Sequence, residues 1–81
     1  SQYRQDIVLR AQNYLNSTDW ATLCPAVNGT VAATISLSNG SSQALSIACT
    51  EVTLGGQNLQ TVAATTSWSE RGITRNVTVS R

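Results

Sequence analysis

The sequence predicts a two-layer α+β domain: one N-terminal amphipathic helix packed on a four-stranded antiparallel sheet. Three observations lead there. Apolar residues recur at helical spacing over residues 2 to 16. From Val31 the period changes to two. Three turn signals, Asn39-Gly40, Gly55-Gly56 and Arg71-Gly72, then divide the alternating region into four strands. A helix with one apolar stripe must bury it against something, and a sheet with one apolar face is the available partner. The predicted organisation is a single domain over residues 1–81, with helix 2–16, loop 17–30 and sheet 31–81.

In the helix, Tyr3, Ile7, Ala11 and Tyr14 form the stripe, with Val8 and Leu15 beside them. Arg4, Gln5, Gln12 and Asn13 fall on the other side. Asn16-Ser17-Thr18-Asp19 ends the helix and offers caps for a short turn through Trp20 to Leu23. Cys24-Pro25 then forces an extended or turn geometry. In the first strand Val31, Ala33, Ile35 and Leu37 share one face. The second strand covers about residues 43 to 53, with Leu45, Ile47 and Cys49 inward. The third runs from about Leu59 to Trp68, with Val62, Ala64, Thr66 and Trp68 on one side. In the fourth, Ile73, Val77 and Val79 face inward, while Thr74, Asn76, Thr78 and Ser80 face out.

Composition narrows the function classes. The chain has 81 residues and a net charge of +1, and 11% of its residues are charged. A dedicated nucleic-acid binder carries a much more basic balance. Ser and Thr make up about a quarter of the residues and Lys is absent, a surface that suits a protein outside the cell. No run of 18 or more apolar residues is present, so nothing in this sequence reads as a membrane span. The chain starts at Ser1 without a Met, which favours a processed or truncated chain.

Cys24 and Cys49 are the only cysteines. A zinc site wants about four ligands and no His is present to join two thiolates, so no metal site is expected. The spacing is far from a C-x-x-C redox motif. One structural disulfide in an oxidising compartment is favoured over two buried free thiols.

No catalytic set and no cofactor site is expected. With no His, acid–base chemistry would fall to Asp6, Asp19, Glu51 and Glu70, which are scattered along the chain. Glu51 and Glu70 could meet across the second and third strands, but solvated edge charges are the plainer reading. Gly55-Gly56 lacks the Lys and helix of a phosphate loop and reads as a turn. Sequons occur at Asn16, Asn28, Asn39 and Asn76. They would be glycan sites in a eukaryotic secreted protein, but turn chemistry and Thr-rich strands also generate them.

The one charge cluster is Arg71, Arg75 and Arg81 in the closing hairpin, with Trp68 placed to stack on an arginine. These four residues are the candidate binding surface, for phosphate or for an acidic partner patch. The alternative is edge protection, since charges on an edge strand discourage aggregation.

An abrupt helix, a Cys-bearing loop, a four-stranded meander and a closing pattern Trp68-x-x-x-Gly72-x-x-Arg75-x-Val77-x-Val79 together resemble the head domain of type IV pilin-like proteins. Thr66-Ser67-Trp68 through Gly72, Thr74-Arg75 and Val77-Thr78-Val79 is similar to the last hairpin of minor pilins and type II secretion pseudopilins. The likeness covers the whole chain as architecture and about 15 residues as sequence. The family's Gly/Phe processing site and its apolar N-terminal helix with a glutamate are not in this sequence. The early position of Cys24 and Cys49 points away from the major adhesive pilins.

The resemblance implies a minor pilin that initiates or caps a filament with other pilin-like subunits. It implies anchoring in the inner membrane through a missing N-terminal helix before assembly, and a fimbrium at the bacterial surface or periplasm. Pilus biogenesis, adhesion, DNA uptake or motility would be the setting, with secretion second. DNA capture by the arginine hairpin and a free secreted recognition module are the rival readings.

Overall fold

The computed structural model describes residues 2–81. Helix α1 spans Gln2–Ser17 and a single turn, α2, spans Trp20–Leu23. Four strands follow: β1 Thr30–Ser36, β2 Ser42–Leu54, β3 Gln57–Glu70 and β4 Ile73–Ser80. They form one antiparallel meander in the order β1-β2-β3-β4. The fold is therefore α+β, a helix on a four-stranded sheet. The helix runs one residue longer than its stripe predicts, β2 runs one residue past each expected end and β3 two.

One face of α1 closes the sheet. Ile7, Ala11 and Leu15 are buried against Ile35, Leu37, Leu45, Ile47, Cys49, Val62, Ala64 and Val79, with Leu23 of α2 completing the cluster. Tyr3, Val8 and Tyr14 are only partly buried at the margin of this stripe. Each fully buried Ile or Leu is worth about 1.5–3 kcal/mol relative to exposure. In β4, Val79 is buried and Val77 half-buried, as the alternation predicts. Ile73 is a correction: it has the inward parity but is 54% exposed, because α1 does not reach over the tip of the closing hairpin.

The turns follow their chemistry. Asn39-Gly40 lies in a three-residue loop closed by Leu37 N–H to Ser41 O (2.8 Å) and Gly40 N–H to Leu37 O (3.0 Å). Gly40 takes φ +88°, the left-handed position that such a loop requires. At the last hairpin Arg71 and Gly72 both have positive φ, 53° and 77°. Gly or Asn is the usual occupant of the Arg71 position, so a long side chain is held there against local preference.

A disulfide and a carboxylate cluster help fix the helical segment to the sheet. Cys24, just after α2, is bonded to Cys49 in the buried middle of β2, with a Cα–Cα distance of 5.4 Å. Near the other end, the Asp6 carboxylate accepts the Ser38 N–H and hydroxyl, both at 2.8 Å, and pairs with Arg10 Nε at 3.3 Å. These bonds hold Asp6 below its ordinary value of 3.8. The Ser38 N–H is the largest cause, then the Ser38 hydroxyl; burial opposes them and Arg10 adds less.

Two outcomes follow. Reducing the bridge, whose ends are 25 residues apart, removes about 3 kcal/mol in the loop-entropy account. The melting temperature should then fall by at least about 10 °C; an unchanged melt on reduction would count against that account. Asp6 has a depressed folded pKa, so its contribution is present above 3.8 and is lost as pH falls through the folded value. A urea midpoint series from pH 5 to about pH 2 should drop below pH 4, and Asp6→Asn should flatten that drop.

Candidate functional site

The sheet splays at one end. β2 and β3 pair from Ser46↔Thr65 to Leu54↔Gln57, whereas β3 continues with β4 through Glu70↔Ile73. Side chains replace the missing ladder bonds. Thr66 Oγ1 donates to Ala44 O (2.6 Å), and Gln43 Nε2 donates to Thr66 Oγ1 and to Ser67 O, both at 2.7 Å. The Tyr3 hydroxyl donates to Gln43 Oε1 at 3.2 Å, which ties the start of α1 to the same gap. Thr66 is the one buried polar residue of the core among the described residues, and the bond to Ala44 O satisfies it.

Trp68 plugs this end. Its ring meets Tyr3 edge to face at 5.8 Å, a geometry that favours the positive ring edge over the negative face. Its indole N–H is buried without a hydrogen-bond partner. Beside it, Arg4, Trp68, Glu70 and Arg75 line an open recess of about 280 Å³. Two guanidinium groups and one carboxylate around an aromatic ring make a rim that suits a small anionic or planar group. Arg75 lies directly opposite Trp68 in the register.

At the other end a second aromatic lock closes the core. The Arg81 guanidinium donates from Nη1 to Leu15 O and Thr18 O, both at 2.7 Å, and lies 5.6 Å from the centre of the Trp20 ring. A cation on the last carbonyls of a helix satisfies orphan acceptors and complements the helix dipole. Ser17 and Thr18 hydroxyls cap Asn13 O and Tyr14 O, each at 2.6 Å. Trp20 Nε1 donates to Gln60 Oε1 (3.0 Å), and Gln60 Nε2 donates to Glu51 (3.0 Å).

The arginines expected as one cluster are therefore divided. Arg81 sits opposite Val62, six residues along β3 from Trp68, about 20 Å away at the usual strand rise. Arg75 borders the Trp68 recess, and Arg71 occupies the hairpin tip. The arginine over a tryptophan is Arg81 over Trp20, not a partner of Trp68. Glu51 and Glu70 do not meet: Glu51 faces Gln60 and Glu70 faces Ile73, at opposite ends of β3. Arg4, Tyr3 and Gln43 complete the Trp68 end, and sequence reasoning placed none of them there. Their polar atoms carry no periodic signal, and only the splay brings them together. No group of three or more His, Cys, Asp or Glu side chains suited to a metal occurs among the described residues.

Compared with protein-family models, curated proteins and solved structures, the chain finds no match.

The two ends respond differently to substitution. Arg81→Ala removes two charge-assisted bonds and a ring contact, and should cost about 1–2 kcal/mol. Arg75→Ala, at an exposed position, should stay within about 0.5 kcal/mol. Thermal melts of the two variants check this; equal effects would show that Arg81 does not lock the helix end.

Proposed function

We propose that this chain is the head domain of a type IV pilin-like subunit, a minor pilin, that works by assembly rather than turnover. The observation that carries the reading is an apolar residue, Leu9, exposed on the outer side of α1. Ile7, Ala11 and Leu15 seal the chain's own sheet, yet Leu9 is 58% exposed. Leu9 lies with Val8, Arg4, Gln5 and Gln12 around a shallow recess of about 410 Å³ on the outer side of the helix. A helix that needed only to cover its sheet would be polar there. A neighbouring helix in a filament core would cover Leu9. The Trp68-to-Val79 closing pattern supports the same family.

In this reading the subunit initiates or caps a filament with other pilin-like subunits, held in the inner membrane before assembly and carried at the cell surface after it. A type II secretion pseudopilin would use the same geometry, and co-purification with pilus or secretion components separates the two. DNA capture is the weaker reading. Arg81 is committed to the end of α1, which leaves Arg71 and Arg75 as the hairpin's cations, too few for a phosphate-tracking stripe.

The test is the N-terminal sequence and intact mass of the native protein, together with a Leu9→Glu variant. An apolar segment of about 25 residues ahead of Ser1 is expected. Leu9→Glu should keep the wild-type melt while reducing recovery in sheared filaments about tenfold or more, the loss expected when a Leu-sized contact is removed. A native chain that begins at or near Ser1, or unchanged recovery of the variant, would overturn the proposal.

A further inference from the structure

The two edges of the sheet are built differently, and the difference points to a partner. Backbone bonds set which residues face outward. Cys49 N–H donates to Gly29 O and Leu37 N–H donates to Ser41 O, at 3.1 and 2.8 Å. Both lie in the register that pairs Val31 with Ile47 and Ala33 with Leu45. Odd-numbered residues of β1 therefore exchange bonds with β2. Thr30, Ala32, Thr34 and Ser36 turn their N–H and C=O groups away from β2, and among the described residues no side chain or loop meets them.

The β4 edge is occupied or guarded. Arg81 N–H bonds Val62 O, so by the same parity Thr74, Asn76, Thr78 and Ser80 face outward there. Ser80 O is taken by Gln12 Nε2 at 3.0 Å. Arg75 sits in mid-strand, and Arg71 stands at the tip. Arginines on an edge discourage pairing with a second chain. β1 has no such guard. It contains no charge, no Pro and no bulge, and no charged residue occurs between Asp19 and Glu51.

We infer that β1 pairs with β1 of a second copy of this chain, antiparallel and two-fold about Ala33, to make a dimer with one continuous sheet. This register is the one that uses every outward group. Thr30 meets the partner's Ser36 and Ala32 meets its Thr34, each pair exchanging both backbone bonds. Shifting the register by two residues leaves bonds unmade at the ends. On the inner face Val31 meets Ile35, a β-branched pair, and Ala33 meets Ala33 on the axis, where the close approach of a non-bonded pair needs small side chains. A two-fold axis normal to the sheet puts both α1 helices on one side. A cleft of about 330 Å³, lined by Arg10, Asn13, Tyr14, Ser17, Thr34, Ile35 and Ser36, runs between α1 and this edge. It has room for the incoming Val31. Neutral strands meet without like-charge repulsion. Seven residues of edge bury less than a standard stable interface, so the dimer is weak and depends on concentration. The inference does not rest on the pilin reading.

The experiment is sedimentation velocity on the full chain from about 10 µM to about 1 mM, a range suited to an interface of this size. Disulfide trapping accompanies it, with the native Cys24–Cys49 bridge kept oxidised. Wild type should shift toward a dimer with concentration. Thr34→Lys, an exposed outer-face change, should remain monomeric with an unchanged melt. Ala33→Cys should link to itself under mild oxidation. A wild-type monomer throughout the range, or a dimer untouched by Thr34→Lys, would overturn the proposal. So would Ala32→Cys linking to Asn76→Cys while Ala33→Cys fails to self-link, the mark of head-to-tail pairing between β1 and β4.

Discussion

One helix has to cover one face of a sheet longer than itself. A 16-residue helix is about 24 Å long, whereas the chain extends 47 Å along its longest axis. The apolar stripe Ile7, Ala11 and Leu15 seals only the middle. Whatever lies beyond its reach must be closed by other means or left open, and the rest of the structure divides along that line.

The two closed ends use the same device, an aromatic ring braced by the helix. Trp68 is met by Tyr3 from the first turn of α1, and Trp20 is met by Arg81 at the last turn. Aromatic rings suit these positions because each buries a large area; the Trp20 indole N–H reaches Gln60, whereas that of Trp68 is buried unpaired. The open region is the β2–β3 hairpin, where Val52, Leu54 and Leu59 are 53%, 61% and 44% exposed. Val52 lies opposite Leu59 on the outer face. The disulfide matters because of this imbalance. A domain with a core of a dozen residues has little stability to spare, and Cys24–Cys49 ties the end of α2 to the middle of the sheet.

Much of this was legible in the sequence because it depends on period. Ile7-Ala11-Leu15 and Leu45-Ile47-Cys49 announce a helix face and a strand face directly, and Gly55-Gly56 and Arg71-Gly72 mark their turns. Parity failed at Ile73, since alternation says which face a residue takes and not whether anything covers that face. Proximity along the chain also misled: Arg71, Arg75 and Arg81 are close in sequence, but an extended strand carries Arg81 away from Arg75 and onto the carbonyls of Leu15 and Thr18. The Trp68 recess depends on β2 leaving β3 beyond Ser46↔Thr65. The splay is bridged by side-chain bonds through Gln43 and Thr66, which no hydrophobic pattern records.

The arginines of the closing hairpin have a physical account that does not need a ligand. β4 ends the meander, and its outward backbone groups would pair with any available strand. Arg75 makes such pairing costly because a partner strand must desolvate a guanidinium or displace it. Arg71 extends the same protection to the tip at the expense of an unfavourable backbone angle. Arg81 has a different task, holding the far end of α1. β1, at the other edge, has nothing comparable, although its four outward residues carry the same unpaired groups. A chain that guards one edge and leaves the other bare and neutral directs association to one side. That asymmetry allows a single, oriented contact where two open edges would allow indefinite stacking.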